Sequence, residues 1–147
     1  MTPRAIFAQA RRLATKLGAP GTALLHLRGD SEVRVSVETH GDAYAWVLTE
    51  RGQEVERRVT RDLDELLFWL IGSVIFEMAT AHELANRIAG QDFRRVLFAK
   101  EVELFERLDP RWAARAVERI NDTLARHPFM DDLEPRFLVV PEAGQRG

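Results

Sequence analysis

Leu66–Phe76, LLFWLIGSVIF, is apolar around nearly its whole circumference when wound as a helix. No other stretch restricts the fold as much. Such a helix has no face to give to water, so other elements must cover it on more than one side. It is also too short to cross a bilayer, which takes about 20 apolar residues. It therefore belongs in the middle of a globular core. The chain has the means to build one: 147 residues, 46% hydrophobic and 30% charged, read as one folded domain over 1–147.

The flanking patterns predict what covers the helix. Thr2 and Pro3 are an N-cap and a first helical residue, and Ile6, Ala10, Leu13, Ala14 and Leu17 follow at helical spacing. A helix over 3–17 results, stopped by Gly18 and Pro20. Strands are expected over about 22–60. Thr22–Arg28 is a short, mostly apolar run, and Val33, Val35 and Val37 alternate with Arg34, Ser36 and Glu38. Ala43–Thr49 is apolar on both faces, while Val55–Val59 alternates like an exposed edge strand. Turn chemistry at Gly29-Asp30-Ser31, His40-Gly41-Asp42 and Arg51-Gly52 joins neighbours closely, which implies an antiparallel meander of about four strands.

Helices are expected over about 62–127. Asp62 with Glu65 fits a capping box, and Thr80 with Glu83 fits a second, which predicts a break near Ala79. Gly90 is a stop, Asp92 an N-cap, and Asp109-Pro110 another start; His127-Pro128 ends the last helix. The fold class is then α+β, with an N-terminal helix, the meander, and a C-terminal bundle of about four helices packed on one sheet face. Residues 128–147 form an extended tail. Trp69 and Trp112 fall in the core, with Trp69 nearly fully buried. Trp46 is left between a core role and an exposed sheet face.

Several function classes are disfavoured. The net charge of −2 argues against a general nucleic-acid binder. Absence of cysteine removes disulfides, thiolate metal sites and cysteine nucleophiles, and fits a cytoplasmic location. The first residues carry Arg and Lys throughout, unlike a signal peptide. His82-Glu83 is not followed by the second histidine of H-E-x-x-H, there is no glycine-rich phosphate loop, and no serine lies in a nucleophile elbow. No metal, cofactor or catalytic residue is expected, and the chain reads as a binding protein rather than an enzyme.

The densest polar cluster follows the apolar helix directly: His82, Glu83, Arg87, Asp92, Arg94 and Arg95. Arg94 and Arg95 sit in the first turn of a helix, where the macrodipole disfavours a cation by about 0.3–1 kcal/mol. Local rules are broken mostly at functional or specially paired sites. These arginines brace the junction against Glu77, Glu83 or Asp92, or the junction presents charge to a partner, and the two can both hold because bidentate arginine pairs position the residues that face outward. The tail acids Asp131, Asp132 and Glu134 have the same two readings, a solvated segment or a face for a basic partner.

Asp64-Glu65-Leu66-Leu67 with Trp69, the Ala79–Arg87 stretch, Gln91-Asp92-Phe93-Arg94-Arg95 leading into Phe98, and a closing His127-Pro128-Phe129 together resemble a bacterial family named immunity protein 63, found in polymorphic toxin systems. The resemblance covers the C-terminal half. It implies a cytoplasmic protein that binds and neutralises a cognate toxin domain stoichiometrically, without nucleic acid or membrane as partner; a homodimer is compatible with it. A secretion or folding chaperone is the alternative from another class, and a small nucleic-acid-processing enzyme a third.

Overall fold

The computed structural model describes residues 1–24 and 33–131. In order they form α1 (Pro3–Lys16), α2 (Gly21–Leu24), β1 (Val33–His40), β2 (Ala43–Glu50), β3 (Gln53–Thr60), α3 (Leu63–Ala85), α4 (Phe93–Leu108) and α5 (Pro110–Arg126). The strands make one antiparallel sheet in the order β1-β2-β3. The α+β class holds.

Two element counts differ from expectation. Among the described residues there are three strands, not four. Thr22–Leu24 belongs to the short helix α2, because the Pro20 carbonyl accepts from the amides of Ala23 and Leu24 at 3.0 and 3.2 Å. Positions 25–28 of the expected first strand lie outside the described residues. Among the described residues three helices, not four, follow the sheet, because α3 runs unbroken through Thr80. The second capping box does not form: Glu83 turns to the guanidinium of Arg87 one turn on, at 2.8 and 2.9 Å. Continuing the helix keeps the backbone groups around Thr80 bonded.

Nor do all helices lie on the sheet. α1 and α3 meet it, whereas α4 packs chiefly against α3 and α5. The sheet's inner face carries Val35, Val37 and Trp46, all buried. The register pairs Val37 with Trp46 and Val35 with Leu48, so these side chains share one face. A one-residue slip would turn them all outward. The side chains of Val33 and Arg34 lie outside the described ones. On the opposite face, Ala45 and Val47 are also buried. Arg57 lies opposite Val47 and Glu38 opposite Ala45, and their 2.9 Å ion pair crosses β2 between them. β3 is exposed along nearly its whole length, as an edge strand should be.

α3 is covered as its composition requires. Leu66, Leu70, Ile71, Val74 and Ile75 are fully buried. α1 contributes Ile6, Ala10 and Ala14 to the same cluster, α4 Leu104 and Phe105, and α5 Trp112. Phe68 stacks on Phe105 with ring centroids 4.8 Å apart and meets Trp112 edge-on at 6.0 Å. The Trp112 indole N–H donates to Asp64 at 3.1 Å, so its polar tip is satisfied.

Trp69 is only partly buried, contrary to expectation. It sits where α3 meets the edge strand, with Arg58 of β3 4.4 Å from the Trp46 ring centroid and 5.7 Å from that of Trp69. A guanidinium over an indole face is a favourable cover for a rim position. Leu70→Ala should therefore cost about 2–5 kcal/mol, as a truncation in a closed core does, and Trp69→Ala less than it would in a closed site. Denaturant midpoints of the two variants check this; a larger loss for Trp69→Ala would reverse the assignment of centre and rim.

Candidate functional site

α3 ends at Asn86, whose side-chain amide donates to the His82 carbonyl at 2.8 Å. Gly90 then takes a left-handed φ of 78°, which lets the chain double back into α4. Asp92 caps α4, its carboxylate accepting from the Arg94 amide at 3.0 Å.

The same carboxylate is the centre of the cluster. It accepts from the Arg94 guanidinium, Nη2 to Oδ2 at 2.8 Å, and from the backbone amide of Met130 at 2.9 Å. Arg94 reaches onward to the carbonyls of His127 and Pro128, at 2.9 and 2.8 Å. These carbonyls lie at the C-terminal end of α5, where helix dipoles favour a cation. The position that looks unfavourable at the start of one helix is thus favourable at the end of another. Asp131 returns the contact: its carboxylate accepts from the Asp92 amide at 2.8 Å and from Arg95 Nε at 2.8 Å. Arg95 also stacks over Phe129, 4.1 Å from the ring centroid, and Phe129 packs on Phe98.

Of the two readings left open for the arginines, bracing is what these contacts do. The carboxylates are Asp92 for Arg94 and Asp131 for Arg95. Glu83 instead pairs with Arg87. The Glu83 side chain is 3% exposed, while that of Arg87 is 57% exposed. Hydrogen bonds from Arg94, reinforced by backbone amides, hold Asp92 well below the usual carboxylate range, against an opposing effect of burial. Hydrogen bonds from Arg95 lower Asp131, and those from Arg87 lower Glu83.

His82 is not brought to these acids. Its ring's polar contact is the Asn86 amide at 3.4 Å, and it borders a separate shallow depression with Gln91, Arg95 and Lys100. Asp132 and Glu134 lie outside the described residues. Among the described residues, no group of three His, Asp or Glu is placed to hold a metal, and no helix is long and apolar enough to cross a membrane.

What the sequence patterns did not single out is a set of exposed apolar side chains. Phe76, Leu84, Ile88, Phe93 and Met130 are each about half exposed or more, between 50% and 61%. Ile88, Phe93 and Met130 line a cleft of about 880 Å³ between the α3–α4 connection and the segment after α5, with Arg87 and Arg126 also on its wall. Phe76 and Leu84 line an adjoining shallow groove that shares Arg87 and Phe93 with it. Phe76, Thr80 and Leu84 are spaced four apart, so a single stripe on α3 was legible; that nothing covers it was not.

A family model described as Immunity protein 63 matches residues 41–122, more than half of the chain. The match spans β2, β3, α3, α4 and most of α5. No curated protein and no solved structure matches the chain.

The lock has a sign in pH. Asp92 and Asp131 have carboxyls lowered in the folded state, so their contribution is present above the unfolded value of about 3.9 and is lost as pH falls below it. Asp92→Ala should lose about 0.5–2 kcal/mol for the cap alone, and its stability should fall less steeply than wild type between neutral pH and the acid range. Chemical denaturation at several pH values checks both. Arg94→Ala should destabilise more than Arg95→Ala, because Arg94 is the less exposed and also holds the end of α5.

Proposed function

The chain belongs to the immunity protein 63 family, and from that premise we propose that it neutralises a cognate toxin domain by occupying it, one chain per toxin domain, with no reaction of its own. The family match carries this reading. The site supports binding over catalysis in one specific way. Glu83, Asp92 and Asp131, the carboxylates of the junction cluster, are each paired with an arginine that lowers their pKa. A carboxylate held that low is a poor proton donor and a weak base near neutral pH. What remains on the surface is a braced junction with exposed apolar side chains, which is the composition of an interface rather than of a reaction centre.

Within the cluster we assign Arg87 to the toxin-facing surface, with Glu83 orienting it from below. Asp92, Arg94, Arg95 and Asp131 shape the junction. The cysteine-free sequence agrees with work in a reducing cytoplasm.

Titration with the toxin domain of a polymorphic toxin, sought among the genes neighbouring this chain's own, checks the mechanism. Inhibition should saturate near one chain per toxin domain, and the two should co-elute as a complex. Protection at strongly substoichiometric amounts would instead point to an enzyme acting on the toxin or its product.

A further inference from the structure

We propose that the toxin domain docks in the cleft between the α3–α4 connection and the segment after α5, and that it presents there an apolar side chain flanked by carboxylates. The inference rests on the binding reading above and adds the surface and the partner's chemistry.

The floor of the cleft comes from three separate pieces of chain. Ile88 lies in the connection, Phe93 begins α4 and Met130 follows α5, and all three are at least half exposed. Single exposed apolar residues need no explanation, but three that converge on one concavity do. The volume, about 880 Å³, is room for several side chains.

The walls are built before a partner arrives. The Met130 amide is held by Asp92, and the His127 and Pro128 carbonyls by Arg94. A surface fixed this way loses little conformational entropy on binding.

The charge of the cleft is opposite to that of the whole chain. Asp92 is the acid among its lining residues, and its carboxylate is turned inward to Arg94 and the Met130 amide. The Arg87 side chain stays more than half exposed although Glu83 accepts two hydrogen bonds from its guanidinium. Arg126 lines the cleft, is exposed, and has no ion pair among the described residues. A lining that sets exposed apolar side chains beside cations fits an apolar side chain with carboxylates beside it. Rim charges of this kind set encounter rate and specificity.

The test uses the full chain and the toxin domain that the titration above identifies as its partner, or failing one, the toxin domains of neighbouring genes, with affinity measured by calorimetry at low and high salt. Phe93→Asp and Arg126→Glu should each weaken binding about tenfold or more, with melting temperatures close to wild type, and Arg126→Gln should fall between. Val59→Asp, on the outer face of the sheet, should bind like wild type. Salt should weaken wild-type binding and affect Arg126→Glu less. An Asp→Lys or Glu→Lys change in the toxin domain should restore binding to Arg126→Glu. If wild type binds and the cleft variants bind equally well, the toxin docks elsewhere; the inference is overturned and the binding function stands. Loss with Phe93→Asp alone, without salt dependence, overturns the acidic partner. If the chain dimerises and Phe93→Asp breaks the dimer, the occupant is a second copy and the inference fails. If wild type does not bind the toxin domain, the proposed function fails and the inference falls with it.

Discussion

The structure depends on a helix that cannot face water. From Leu66 to Ile75, α3 needs cover on several sides, and the rest of the chain supplies it. β1 and β2 offer Val35, Val37 and Trp46, α1 offers Ile6 and Ala10, and α4 and α5 offer Phe105 and Trp112. That demand places α4 and α5 behind α3 rather than on the sheet. It also has an end. Beyond Ile75 the cover narrows to one side, where Ala79 and Glu83 stay buried, and Phe76 and Leu84 emerge into solvent on the same helix. The element that organises the core therefore also carries Arg87 and Ile88 to the surface.

At that end a second constraint takes over. The start of α4 and the end of α5 leave amides and carbonyls without helical partners. Asp92 satisfies amides from both places, those of Arg94 and Met130, and Arg94 satisfies two carbonyls after α5. Asp131 completes the exchange by accepting from the Asp92 amide and from Arg95. The charges matter less as ion pairs than as the hydrogen-bonding groups that tie two helix ends together. Exposed pairs elsewhere, such as Arg58 with Glu56, have no such backbone work and add little.

Local patterns carried much of this. Thr2-Pro3, Asp62, Asp92 and Asp109-Pro110 cap helices as their types require, and the alternation at Val35 and Val37 sets the inner face. The cluster at the α3–α4 junction was visible as two cations in an unfavourable place. Their resolution was not, because His127, Pro128 and Asp131 lie more than thirty residues away and no periodicity joins them. Thr80 looked like a cap because capping boxes are read from residue type, while continuing the helix keeps its backbone bonded. Trp69 looked buried because an apolar run reports the need for cover and not which side lacks it. The same limit hid Ile88, Phe93 and Met130. A helical stripe says what a face is made of, and only the packing says whether anything lies on it.

The central claim is that the Asp92 carboxylate ties the segment after α5 to the start of α4 and so builds the cleft. Amide hydrogen exchange at Met130 tests it most directly, since that amide's partner is Asp92 itself. In the wild-type chain the Met130 amide should be protected although its side chain is exposed, and Asp92→Ala should remove that protection while the α3 core stays protected. A wild-type Met130 amide that exchanges as fast as in an unstructured peptide would contradict the lock, and with it the preformed cleft.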